Sequence, residues 1–238
     1  MPFGPDKGKS LEMKYGCRCE DKAIESQVLE RRKELKKLRE RERLFDVFDQ
    51  NSLINSDLRE VGFETYLPTN PSQEGGMKTA MQYVADFSFN HPKNLLLTGS
   101  YGLGKSHLAA AILKELLGKG HTGIFISVPK LLTKLKATYK KNSELAEDDL
   151  LSVLEQADCL VLDDIGAEHG TDHSGSWSIA KVFEVVDSRL GKNTIYTTNL
   201  NGRELQEKVG ARNFSRMMQQ CEVVTIKGDD YRLRQFRS

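Results

Sequence analysis

The 238 residues suffice for one sizeable α/β core plus a short extra segment, and are too few for two full domains. Lys+Arg and Asp+Glu number 35 and 34, so no overall field draws the chain onto nucleic acid and any such contact must come from a local basic patch. No run of about 18 apolar residues marks a membrane span, the opening MPFGPDKGKS lacks the apolar stretch of a signal peptide, and four scattered cysteines exclude a disulfide scaffold, so a reducing cytoplasm is expected.

In chain order, residues 1–20 are rich in Gly, Pro and Lys, carry Cys17 and Cys19, and are expected to be poorly ordered. Residues 21–48 contain no Gly or Pro, and Ile24, Val28, Leu35, Leu38, Leu44, Phe45 and Phe48 recur at mostly helical spacing among charges of both signs. This reads as a charged helix with a narrow apolar stripe, either solvated or docking one partner helix. Residues 49–71 read as a loop ending in Leu67-Pro68-Thr69-Asn70-Pro71, and the organisation is read as an N-terminal segment 1–50 and a main domain 51–238. Helices are predicted at Gln73–Phe87, His107–Leu117, Leu131–Tyr139, Glu147–Gln156 and Ser178–Leu190, with short ones at Arg203–Val209 and Asn213–Gln219. Strands are predicted at Asn94–Thr98, Gly123–Val128, Cys159–Leu162, Thr194–Thr197 and Glu222–Ile226. Asn94–Thr98 (NLLLT) is short and continuously apolar, as expected of a strand covered on both faces, and Cys159 and Cys221, inside apolar strand-like runs, read as buried thiols. Strands alternating with helices indicate a parallel five-stranded sheet with helices on both faces.

The first strand runs directly into Gly99, Ser100, Tyr101, Gly102, Leu103, Gly104, Lys105 and Ser106, and a helix leaves at His107. The string fits G-x-x-x-x-G-K-[ST] in its proper strand–loop–helix setting. Backbone N–H groups of such a loop wrap a phosphate, helped by the positive end of the helix. Lys105 supplies a charge for the β- and γ-phosphates, and the Ser106 hydroxyl is a hard oxygen ligand for Mg²⁺. MgATP is therefore the expected ligand.

The third strand ends in Asp163-Asp164. Asp163 is expected to hold Mg²⁺ through its water shell and Asp164 to polarise the attacking water. Aspartate reaches less far than glutamate, so slow hydrolysis is expected. Asn199 follows the fourth strand and is either a hydrogen-bonding partner of the γ-phosphate or attacking water, or a turn former beside Asn201-Gly202. Arg212 and Arg216 lie four apart on a short helix and Arg232 follows Tyr231; these are surface arginines or groups that meet transferred phosphoryl charge.

The succession GSYGLGKS, LVLDDIGAE, YTTNL, ARNFSRM and DDYR resembles the bacterial and phage DnaC/DnaI-type helicase loaders of the AAA+ ATPases, over roughly residues 52–236. The lead-in NSLINSDLREVGFETY is similar as well. The resemblance implies a P-loop NTPase AAA+ core with strand four between strands one and three. Lys105 and Ser106 become Walker A residues, Asp163 and Asp164 Walker B, and Asn199 sensor 1. Arg216 becomes an arginine finger acting on the next subunit, and Arg232 a sensor 2 acting in cis. The implied function is delivery of a hexameric DnaB-type replicative helicase onto single-stranded DNA, as part of the primosome, with self-association on the helicase. The N-terminal segment would touch the helicase, and Lys130, Lys134, Lys136, Lys140 and Lys141 become candidates for the DNA-facing side. Some relatives carry an N-terminal zinc module. Here Cys17-x-Cys19 offers two thiolates, which cannot close a tetrahedral site, so zinc is not expected unless a second chain completes it. Two alternatives share the same residues: an IstB-type transposition helper ATPase, and a nucleotide-switched adapter with little hydrolysis.

Overall fold

The computed structural model describes residues 24, 27–32, 60–139, 146–167 and 173–236, the side chains of 173–175 and 234–236 excepted. The chain divides into two units, Met1–Arg43 and Leu44–Ser238. In the first, residues 24 and 27–32 are helical, and Ile24, Val28 and Leu29 are exposed. The remainder of the helix expected over 21–48 lies outside the described residues, as do Cys17, Cys19, Lys140 and Lys141.

In the second unit, β1 (Asn94–Thr98), β2 (Gly123–Ser127), β3 (Cys159–Asp163), β4 (Asn193–Thr198) and β5 (Cys221–Thr225) form one parallel sheet in the order β2-β3-β4-β1-β5. β4 thus lies between β1 and β3, as the resemblance implied. Side-chain alternation splits the core in two. Leu95, Leu97, Val161 and Ile195 face α1 (Pro71–Ala85) and α2 (Lys105–Gly118). Leu96, Leu160, Leu162 and Tyr196 face α3 (Val128–Thr138), α4 (Glu147–Gln156) and α5 (His173–Ser188), with α6 (Gly202–Val209) and α7 (Ala211–Met217) completing that layer. Each such side chain contributes about 1.5–3 kcal/mol on burial, which is why the central residues of β1, β2 and β3 read as unbroken apolar runs. Cys159 is fully buried in this core, whereas Cys221 is half-buried because it opens the edge strand β5.

Helix starts differ from the periodicity. α1 begins at Pro71 because Asn70 caps it: its Oδ1 accepts from the Gln73 N–H at 3.0 Å and Pro71 occupies the first turn. α2 begins at Lys105, since the last residues of the phosphate loop already have helical backbone. α5 begins at His173, ahead of the Ser178 suggested by its apolar face, because polar HSGSW shows no period. Asn201-Gly202 is a helix cap: Asn201 Oδ1 accepts from the N–H groups of Arg203 and Glu204 at 3.0 Å, and Glu204 answers to the Asn201 N–H. Two 3-10 turns, Phe63–Thr65 and Tyr231–Phe236, fall where no element was expected.

One buried charge ties the sheet to the helices. Arg189 is 2% exposed and follows α5. Its guanidinium donates to the carbonyls of Glu155 (2.8 Å), Ala157 (2.5 Å) and Asn193 (2.6 Å) and to the Thr194 hydroxyl (3.3 Å). It therefore satisfies the chain entering both β3 and β4, whose carbonyls would otherwise be orphaned.

Candidate functional site

The register aligns the C-terminal ends of β1, β4 and β3, so the loop after β1, Asn199 after β4 and Asp163-Asp164 at the end of β3 emerge along one edge. Glycine is required in the loop. Gly102 and Gly104 have φ of 69° and 81°. A Cβ on Gly102 would collide with the Asp230 carboxylate, and one on Gly104 would lie 2.5 Å from the Tyr66 ring. Leu103, 2% exposed, plugs into the core and anchors the loop.

Lys105 is 5% exposed. Its Nζ donates to the Ser100 carbonyl at 2.6 Å and to Asn199 Oδ1 at 2.7 Å. Burial lowers its pKa to about 8, against the opposing pull of Asp164 and Asp163. Asn199 passes the connection on, donating from Nδ2 to Asp164 Oδ1 at 3.3 Å. Burial raises the Asp163 pKa, while hydrogen bonds from Thr197 and Ser106 resist that rise. Thr197 pins the two acids together: its hydroxyl donates to Asp163 Oδ1 at 2.7 Å and accepts from the Asp164 N–H at 2.9 Å. Asp164 has φ 57°, a left-handed conformation tolerated by Asp and Asn.

These groups open into a cavity of about 660 Å³, a typical size for a small-molecule site. Tyr101, Gly102, Leu103, Gly104, Lys105 and Ser106 line it, and so do His107, Asp163, Asp164, Asn199 and Arg232. Gly99 and Ser100 do not line it; Gly99 packs under the Ile226 carbonyl, and Ser100 supplies the carbonyl that holds Lys105. Further walls come from residues that motif reading passed over: Val61, Thr65, Tyr66, Leu67 and Gln73. The Tyr66 hydroxyl donates to the Leu103 carbonyl at 3.2 Å, and burial raises its pKa to about 12. A ring nitrogen of His107 lies 2.9 Å from the Gly62 carbonyl, so His107 tethers this lead-in to α2. The lead-in string GFETY carried a signal only through the resemblance.

Arg216 does not line this cavity. It sits on α7 with Arg212, and both guanidiniums lie over the Phe183 ring, at 4.7 and 4.2 Å. In the same helix layer, near the start of α5, Lys136 lies 5.0 Å from the centroid of the Trp177 ring, whose Nε1 is 3.4 Å from the Tyr139 hydroxyl. Lys130 and Lys134 share α3 with Lys136. Nothing in the local sequence pairs Tyr139 with Trp177.

The family described as IstB-like ATP binding protein matches residues 69–238. The chain belongs to this family. As an IstB-like protein it is an ATP-binding protein. It is also similar to the replicative helicase loader DnaC of Escherichia coli K12, at 32% identity over 90% of this chain and 84% of that protein. The DnaC of Buchnera aphidicola subsp. Schizaphis graminum is 28% identical over 77% of this chain and 75% of its own length. Among solved structures, the DnaC helicase loader superposes with a TM-score of 0.65 at 28% identity, over 73% of this chain and 100% of that one. AMPPCP-bound DnaA from Aquifex aeolicus superposes with a TM-score of 0.62 at 19% identity, over 78% of this chain and 55% of that one. The DnaA likeness speaks to the fold alone; with the DnaC superposition and the strand order, the second unit has the AAA+ P-loop architecture. Among the described residues no helix is long and apolar enough to cross a membrane.

Proposed function

We propose that this IstB-like chain loads the hexameric replicative helicase onto single-stranded DNA during replication initiation, in the cytoplasm, with ATP as the switch. The observation that carries the reading is the hydrogen-bonded path Lys105–Asn199–Asp164 across three strand ends. It stands in a chain that aligns along 90% of its length with a protein named replicative helicase loader.

The residues fit MgATP. The glycine cradle admits a phosphate chain, and the desolvated Lys105 ammonium has two oxygen partners that phosphate oxygens can replace. Ser106 and Asp163 are hard oxygen donors; Mg²⁺ keeps waters and substrate oxygens besides such ligands and neutralises phosphate charge. Asp164, oriented by Asn199, accepts the proton of the attacking water. When Lys105 turns to phosphate, Asn199 loses its acceptor bond and is freed to sense the γ-phosphate. Arg232 acts on its own chain's ATP, and Arg216, remote from that cavity, acts on the ATP of the next subunit, so turnover is slow until subunits assemble on the helicase. Residues 1–50 form the helicase-contacting segment and residues 51–238 the ATPase domain. The single strand runs past the end of α3 and the start of α5, where Lys136, Tyr139 and Trp177 combine charge with stacking surface.

A second reading is supported by the family description itself: the matched span 69–238 is shared with IstB-like proteins, and the same core serves a transposition helper. One experiment separates the two. The full chain is used to capture the purified replicative helicase of its own cell, with and without MgATP, beside a chain lacking residues 1–50. Capture by the full chain and its loss on truncation is the expected result. Absence of capture under every nucleotide condition, with DNA binding retained, rejects the loader in favour of the transposition helper.

A further inference from the structure

Arg212 and Arg216, one turn apart on α7, share the ring of Phe183 on α5, at 4.2 and 4.7 Å from its centroid. One turn farther along α5, Asp187 accepts a hydrogen bond of 2.5 Å from Arg216 Nε. The spacing matches on both helices: ring and carboxylate lie at i and i+4 on α5, and the two arginines at i and i+4 on α7. The ion pair is partly solvent-exposed, with side chains 26% and 43% accessible for Arg216 and Asp187. Such a pair adds under about 1 kcal/mol to stability, so fold stability does not account for this arrangement. Its effect is on conformation. An arginine side chain carries about 2 kcal/mol of rotamer entropy, and a ring beneath the guanidinium plus a carboxylate on Nε removes most of that freedom in advance. Bonding through Nε leaves the four N–H donors of the terminal nitrogens, for which no described residue is an acceptor. Two guanidiniums against one carboxylate also leave this corner with net positive charge, suited to a polyanion.

We propose that Asp187 is a positioning residue for ATP hydrolysis at the subunit boundary. Together with Phe183 it seats Arg216 so that the terminal N–H groups face the phosphoryl oxygens of ATP held by the neighbouring copy. The inference rests on the trans-acting role given to Arg216 above.

The test mixes two variants of the full chain on the replicative helicase with single-stranded DNA. Arg216→Ala supplies ATP sites without a finger, and Lys105→Ala supplies fingers without an ATP site, so turnover comes from mixed boundaries. Asp187→Asn is then placed in one partner at a time. In the Lys105→Ala partner it is expected to lower kcat about tenfold or more with KM for ATP unchanged. In the Arg216→Ala partner, which has no finger to position, the same change is expected to be silent. Equal losses in both partners, or no loss in the Lys105→Ala partner, overturn the proposal. A mixture of the two parent variants that turns over no faster than either alone refutes the trans role of Arg216, and this proposal with it.

Discussion

Lys105 has an ammonium held between a carbonyl and a carboxamide oxygen in a nearly closed site. Because burial lowers its pKa from 10.5 to about 8, the unfolded chain holds this proton through a window where the folded chain has released it. This group's contribution to stability therefore rises as pH climbs from about 8 to 10.5. Phosphate binding runs the other way, since it needs the ammonium. ATP affinity of the nucleotide-free protein is expected to fall above about pH 8, approaching tenfold per pH unit, in titrations with a fluorescent ATP analogue. Lys105→Ala is expected to abolish binding at every pH; unchanged affinity would remove the phosphate site from this loop. Asp164→Asn keeps a residue type that tolerates the left-handed backbone at φ 57°. It is expected to bind ATP normally while turnover falls about 100-fold or more, read by phosphate release. Loss of binding together with turnover would make Asp164 structural.

At the scale of elements, β1, β2 and β3 were legible because their central residues are buried on both faces, and apolar runs bounded by polar residues give that away. The helix starts were less so. At Lys105 the residues are polar for the sake of the ligand, and at His173–Trp177 glycine and polar residues obscure the period, yet both segments are helical. Arg189 shows the limit most clearly. Its sequence neighbours suggest an exposed helix end, but the fold brings the carbonyls of Leu154, Glu155 and Ala157 around it, more than thirty residues away. Arg189→Ala is expected to destabilise the domain by about 3 kcal/mol or more through orphaned carbonyls. Chemical denaturation would measure this; a loss within about 0.5 kcal/mol would mean water replaces the guanidinium at no cost.

At the scale of the whole molecule, the parts work only when assembled. The proposed stacking platform takes Lys136 from α3, Tyr139 from the residue just after it and Trp177 from α5. Trp177→Ala is expected to weaken binding of labelled oligo(dT) about tenfold, from the loss of one stacked base, with ATP affinity in the absence of DNA unchanged. Fluorescence anisotropy reads both. DNA affinity that does not move would place the strand elsewhere on the molecule.

By itself the sequence determined the chemistry that fits into contiguous residues. A strand running into a glycine loop with Lys105 and Ser106, and an apolar strand ending in Asp163-Asp164, each carry their physical meaning within about ten residues of chain. The tertiary structure alone decided which of these meet. It inserted β4 between β1 and β3, which places Asn199 in hydrogen bonds to both Lys105 and Asp164. It also set the Thr197 hydroxyl between the two acids, brought Tyr66 over Gly104, and seated Arg216 on Phe183 and Asp187. The reason is the same in each case. Those contacts join residues 29 or more positions apart, in the seat of Arg216, and up to 94 apart, between Lys105 and Asn199. At such separations the pairing is specified by sheet order and packing, which local periodicity does not encode.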